Sequence, residues 1–111
     1  MRIAAATNLR LMPAPRADQV LAGLLTAGTD PGLRQAALFV IGFRQFGPLA
    51  PALETLLHSE PSADIRMLAL NTVVNFLRRD GAQAAEPLIR WSAENDPEES
   101  VRRQAKAAIG G

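Results

Sequence analysis

The chemistry open to this chain is limited by its single histidine and its lack of cysteine. His58 follows Glu54 by four residues, so on a helix the two side chains would share one face and could form a pair. A metal site needs more ligands than this pair supplies, and nucleophilic catalysis needs a nucleophile beside its base. We interpret the pair as a surface contact near the end of a helix. These residues favour a non-catalytic protein over an enzyme, with no catalytic residue, cofactor or metal.

A lone tryptophan and two pairs of arginines are the other candidate ligand-binding groups. Trp91 occupies a place in a repeated pattern that leucine fills elsewhere, which favours a core position over a stacking platform. Arg78-Arg79 and Arg102-Arg103 could bind phosphate, but acidic neighbours dilute both pairs. The chain has 12 basic and 11 acidic residues and a formal net charge of +1. This balance provides no general attraction to nucleic acid or to acidic lipid.

The repeated pattern extends along the whole chain. Each copy has an apolar residue before an arginine, an alanine three positions after the arginine and an aliphatic residue seven positions after it. The arginines, at intervals of 32, 32 and 36 residues, are Arg2, Arg34, Arg66 and Arg102. A second apolar pattern lies between them and starts at Leu21, Leu53 and Leu88, at intervals of 32 and 35 residues. Two interleaved patterns with nearly one period predict a repeat of two helices.

Proline and glycine breaks between the copies predict seven helices. The predicted spans are 2–12, 16–27, 31–45, 49–58, 62–79, 83–94 and 97–109. Asp30 is expected to cap the third helix, and Asp96 with Glu99 has the spacing of a capping box for the seventh. Val20 and Leu68 are assigned to the buried faces of their helices.

The composition is that of one small globular domain. The 111 residues are 48% apolar and 21% charged, and no alternating run indicates a strand. The apolar runs are too short for a membrane span or a signal peptide. The absence of cysteine fits a reducing compartment, so we expect a cytoplasmic protein that does not bind membranes.

One copy of the repeat resembles a HEAT repeat, and most closely the short bacterial HEAT-like type first named from phycobilisome lyases. The residues that carry the resemblance are Asp30-Pro31-x-x-Arg34-x-x-Ala37-x-x-x-Ile41-Gly42, then Gly47-Pro48 and Leu53-x-x-Leu56-Leu57. Asp96-Pro97 and Glu60-Pro61 begin further copies in which two more residues precede the arginine. The resemblance covers nearly the whole chain.

The resemblance implies an all-α solenoid in a single domain, residues 1–111, of about three and a half repeats. The domain would be a short member or a fragment of a longer array. In such a solenoid the arginine-bearing A helices lie on the convex side and the B helices on the concave side. The resemblance also implies that Arg34, Arg66, Arg102 and Arg2 bridge to polar groups of the neighbouring repeat in a structural ladder.

The exposed row of the B helices is the predicted binding face, because solenoids bind partners along such a face. Its candidate partner-binding residues are Gly23, Thr26, Glu54, Thr55, His58 and Arg90. The leading hypothesis is a protein-binding or scaffolding module with a protein partner. The alternatives are an enzyme-associated, lyase-like subunit and a HEAT-like nucleic-acid binder, which the net charge and Glu54 disfavour. The first predicted helix is apolar nearly all round, so we also expect self-association or another contact there.

Overall fold

A computed structural model describes residues 14–26 and 30–110, and these residues confirm an all-helical fold without a β-strand. Six α-helices are present: α1 (Ala14–Leu24), α2 (Pro31–Ile41), α3 (Phe46–Ser59), α4 (Ala63–Asp80), α5 (Glu86–Asn95) and α6 (Glu99–Ala108). A 3-10 helix, Gln83–Ala85, leads into α5. The first predicted helix, with Arg2 and the contact surface expected there, lies outside the described residues.

Helix boundaries differ from the predicted ones where a tertiary contact or a local turn intervenes. Helix α3 begins at Phe46 because that side chain is 5% exposed and its ring lies 5.5 Å from the ring of Phe76. Helix α2 ends at Ile41 because the N–H groups of Phe43 and Arg44 bond three residues back, as in a 3-10 turn. Phe43 N–H donates to the Val40 carbonyl at 3.0 Å.

Both predicted aspartate caps are wrong. Asp30 lies at the N-cap of α2 but its carboxylate makes no capping hydrogen bond. Glu98, not Asp96, is the N-cap residue of α6, and its side chain does not cap the helix either. Helix α4 does have local caps: Ser62 Oγ accepts from Ile65 N–H at 3.3 Å, and Gly81 closes the helix with φ of 64°.

The helices pack in two rows. Helices α2, α4 and α6 contact one another in succession and form what we call the A row. Helices α1, α3 and α5 do the same in the B row, and each B helix also contacts an A helix. The Cα atoms span 38 × 28 × 17 Å, and the short dimension fits two helix layers about 10 Å apart.

The core lies between the two rows and includes the repeated alanine. Ala37, Ala69 and Ala105 are fully buried, so the small side chain allows the helices to approach closely. Two predicted core positions are wrong, since Val20 is 37% and Leu68 is 38% exposed. Helix α4 lies between α2 and α6 under the B row, so it buries a wide face, and Leu68 lies at the edge of that face.

Ala69→Asp is expected to unfold much of the protein. The substitution places an unpaired carboxylate in the core, which costs several kcal/mol against a total stability of about 5–15 kcal/mol. Thermal melting followed by circular dichroism measures the effect. The controls Asn71→Asp and Glu54→Ala alter exposed positions and should cost under about 1 kcal/mol. An unchanged melting temperature for Ala69→Asp would contradict the packing described here.

Candidate functional site

Buried ion pairs between successive repeats hold in position the B helices, which carry the predicted binding face. Arg34 in α2 donates from Nε to Glu60 Oε1 at 2.6 Å and from Nη2 to Glu60 Oε2 at 3.1 Å. The two side chains are 5% and 0% exposed, so this bidentate pair is inside the protein. Glu60 lies just after α3, and its Oε2 also accepts the Ser62 N–H at 2.9 Å. The pair therefore joins an A helix to the loop that begins the next repeat.

A second pair repeats this arrangement one repeat later. Arg66 in α4 donates from Nε to Asp96 Oδ2 at 2.9 Å and from Nη2 to Asp96 Oδ1 at 3.3 Å. Asp96 Oδ1 also accepts the Glu98 N–H at 2.9 Å, as the carboxylate of Glu60 accepts the N–H of Ser62. Asp96 follows α5 directly, which is the place that Glu60 has after α3.

Backbone carbonyls of the same loops complete the ladder. Arg66 Nη1 donates to the Glu60 carbonyl oxygen at 2.8 Å, and Arg102 Nη1 donates to the Asp96 carbonyl oxygen at 2.6 Å. Arg66 thus bonds two loops. It donates to a backbone carbonyl in the loop before its own helix, α4, and to the carboxylate of Asp96 in the loop after the next helix, α5. Because the loops end the B helices, these bonds hold α3 and α5 in place relative to the A row.

The acidic members of the ladder were missed by the sequence analysis. The available signal was an acid before proline at corresponding places, in Glu60-Pro61 and Asp96-Pro97. Asp96 was instead predicted to be a capping residue, because a short acid before a helix fits both roles. Only the position of Arg66 in space distinguishes them.

The candidate residues on the B row fall around two surface cavities. Thr26 and Thr55 line a cavity of about 250 Å³ between α1 and α3, together with Ser59. We call it the α1–α3 cavity, and none of the described residues that line it is charged. Gly23 and Glu54 are exposed on the same helices but line neither cavity.

The second cavity, which we call the α5 groove, has a volume of about 530 Å³ and contains Arg90. Its other lining residues are Gln83, Glu86, Pro87, Trp91 and Glu94. Arg90 donates from Nη2 to Glu86 Oε2 on the preceding turn of α5, so the charge of Glu86 is balanced and Glu94 adds a further negative charge to the groove. The groove therefore has an excess of negative charge.

His58 of α3 forms an aromatic stack with Trp91, which lines the α5 groove, but His58 itself lines neither cavity. Its ring lies 3.8 Å from the ring of Trp91, centroid to centroid, at an interplanar angle of 17°. The predicted pair of His58 with Glu54 is wrong: within the described residues, these two side chains form neither a hydrogen bond nor an ion pair. Trp91 is half-buried, so its ring lies partly on the surface, whereas the repeated pattern predicts a core position.

Three of the four arginines considered as phosphate ligands have partners within the protein, whereas Arg78 is exposed and its side chain has no hydrogen bond or ion pair among residues 14–26 and 30–110. Arg79 donates from Nε and Nη2 to the two carboxylate oxygens of Asp80, at 3.0 Å each. This hydrogen bonding lowers the pKa of Asp80 and raises that of Arg79. Arg103 pairs with Glu99 on α6, and Arg102 belongs to the ladder.

Residues 14–26 and 30–110 contain no group of three histidine or acidic side chains placed to hold a metal ion. None of their helices combines the length and the apolar character that crossing a membrane requires. Compared with protein-family models, curated proteins and solved structures, the chain matches none of them. The HEAT-like resemblance therefore depends on the motif alone.

Removing one partner of a ladder pair should destabilise the protein far more than breaking a surface pair. Glu60→Ala removes the carboxylate that neutralises the buried Arg34 guanidinium, and we expect a loss of about 3–5 kcal/mol in urea unfolding. Glu99→Ala breaks the exposed pair with Arg103 and should cost under about 1 kcal/mol.

The double variant Arg34→Met/Glu60→Met provides a control for the mechanism. Because neither charge of the Arg34–Glu60 pair remains in the core, the double variant should be more stable than Glu60→Met alone. If Glu60→Ala and Glu99→Ala lose equal stability, the ladder does not hold the loops as described.

Proposed function

We propose that this chain is a non-catalytic protein-binding or scaffolding module with a HEAT-like solenoid arrangement, and that the B row is its binding face. The observation that carries the proposal is the stack of His58 on the half-buried Trp91, which lines the α5 groove. A partly exposed tryptophan at a concave surface is a common anchor of protein interfaces.

The packing supports the solenoid arrangement. Each row is made of alternate helices along the chain, as stacked helix pairs require. The ladder repeats the same contacts between one A helix and the following loops, at Arg34 and again at Arg66. A repeated contact between neighbours is what gives a solenoid its regular stacking.

The chemistry of the face favours a protein segment as partner. The α1–α3 cavity is small and uncharged and suits an apolar or small side chain. The α5 groove carries Glu86 and Glu94 against Arg90, which suits a basic side chain. This excess of carboxylate repels phosphate, so the same observation disfavours a nucleic-acid partner. The proposed partner therefore presents an apolar residue to the α1–α3 cavity and a basic residue to the α5 groove beside Trp91.

Capture from a native lysate tests this proposal. The wild-type chain should retain a protein partner that His58→Ala/Glu94→Lys loses, by at least about tenfold in apparent Kd once the partner is purified. The control Arg103→Ala changes an exposed residue on α6, away from the face, and should retain the partner.

Trp91, the only tryptophan, reports on the same event without a label. Binding over the stack should shift its fluorescence emission in the wild type. If the partner binds the wild type and His58→Ala/Glu94→Lys equally, and leaves the emission of Trp91 in the wild type unchanged, the B row is not the binding face.

A further inference from the structure

The A row exposes two aromatic side chains that the proposed function does not use. Phe39 in α2 is 67% exposed, and Phe43 in the turn after α2 is 64% exposed. Their rings are in edge-to-face contact, 5.4 Å apart at 70°. Fully burying a phenylalanine removes about 150–250 Å² from water, so the pair leaves on the order of 250 Å² of apolar surface exposed. The two rings therefore form one contiguous apolar patch on the outer side of the A row.

A groove of about 300 Å³ lies beside this pair, between α2 and α4. Phe39 and Phe43 make one wall, and Asn71 and Asn75 of α4 line the other. Leu68, 38% exposed, also lines it. The groove therefore has an apolar wall facing a wall of side-chain amides.

One contact fixes the groove at the C-terminal end of its helices. Arg79 Nη1 donates to the Gly42 carbonyl oxygen at 2.9 Å and so ties the last turn of α4 to the end of α2. Arg79 is itself held by Asp80. The two walls are thus joined before any ligand binds, which lowers the ordering cost of binding.

The two asparagines have the spacing of an extended peptide backbone. Asn71 and Asn75 are exposed, and neither amide has a hydrogen-bond partner among residues 14–26 and 30–110. Positions four apart on a helix are separated by about 6.0 Å along its axis. Alternate residues of an extended strand are about 6.4–6.8 Å apart, and each directs its N–H and C=O to the same edge. An asparagine amide has both a donor and an acceptor, so it can bond both groups of one such residue.

We propose that this groove binds an extended peptide segment of another protein with apolar residues at alternate positions. Asn71 and Asn75 bond the backbone of two alternate residues, and Phe39 and Phe43 contact the apolar side chains. The surface belongs to the A row, so it is separate from the B-row face and does not depend on the function proposed above.

Two other occupants fit these observations less well. A partner helix has already used its backbone N–H and C=O groups, so it would leave the asparagine amides facing groups that cannot bond them. A second copy of this chain would need about 800 Å² from each protomer for a stable interface, several times the area of the patch. The free amides and the small area therefore both favour a peptide.

Selection from a phage-displayed library of random octapeptides tests the proposal. The full chain is the bait, and the counter-selection uses Phe39→Ser/Phe43→Ser, which replaces exposed side chains and should fold normally by circular dichroism. Enriched peptides are expected to have apolar residues at alternate positions. Enrichment of nothing beyond the counter-selected pool would overturn the proposal, as would enrichment of helical spacing.

Synthetic versions of an enriched peptide then test the backbone contacts by fluorescence anisotropy. The peptide is methylated on its backbone nitrogens at alternate residues, in one version at the odd positions and in another at the even positions. One of these two versions should bind at least about tenfold more weakly than the unmethylated peptide. The variant Asn71→Ala/Asn75→Ala should weaken binding of the unmethylated peptide by at least about the same factor. Asn95→Ala changes an exposed asparagine on α5 and should leave Kd unchanged. Binding that survives both methylated peptides, or both asparagine substitutions, would refute the backbone contacts. A wild-type dimer in sedimentation that Phe39→Ser/Phe43→Ser disperses would assign the patch to self-association instead.

Discussion

A buried guanidinium is stable only beside a carboxylate, and the arrangement of this protein depends on two such pairs, Arg34 with Glu60 and Arg66 with Asp96. Moving either charge out of water costs several kcal/mol, and only a bidentate pair with further hydrogen bonds recovers it. Glu60 meets the condition by accepting Arg34 through both oxygens and the N–H of Ser62 through one of them. Its carbonyl oxygen accepts Arg66, so one loop residue connects two A helices to the end of a B helix. The loops are therefore junctions, and their geometry sets the positions of α3 and α5.

This division of roles leaves the outer surfaces of the helices available for binding. The core and the ladder lie between the two rows, and the Cα atoms extend only 17 Å in the short dimension. Each helix consequently keeps a side toward solvent, with no third layer among residues 14–26 and 30–110 to cover it. Phe39 and Phe43 lie on such an outer side and are exposed. Apolar residues on these outer sides add nothing to the core, so they remain available for contact with a partner.

The sequence predicts the features that depend on local spacing, such as helices and buried positions. It does not predict side-chain contacts that depend on a residue distant in the chain. Helices and the burial of Ala69 follow from a period that any copy of the repeat displays. The partner of His58 does not: Glu54 is one turn away on the same helix, but Trp91 of the next repeat occupies the space beside the ring. Asp96 shows the same limit, since its spacing suits a cap while its environment makes it the acceptor for Arg66.

Exposure at the edge of an apolar stripe is likewise a tertiary property. Leu68 has the spacing of a core residue on α4, yet it lies beside the A-row groove. Phe39 lies between two buried residues of α2, Leu38 and Val40, and points away from them. Whether the side chain of Phe39 contacts another helix or water depends on how many layers of helices the fold has. The repeat pattern alone does not specify that number.

Two binding surfaces on opposite rows would give this small chain a scaffolding capacity that neither surface has alone. The ladder holds the rows together, so a partner on the B row and a peptide on the A row would be held at a fixed separation of a few nanometres at most. Holding two partners this close raises their effective concentration for each other to the millimolar range when their own linkers can span the gap. The gain comes from rigidity and needs no conformational change. A buried ion-pair ladder supplies that rigidity, because any displacement of one row along the other would leave a charge unpaired inside the protein.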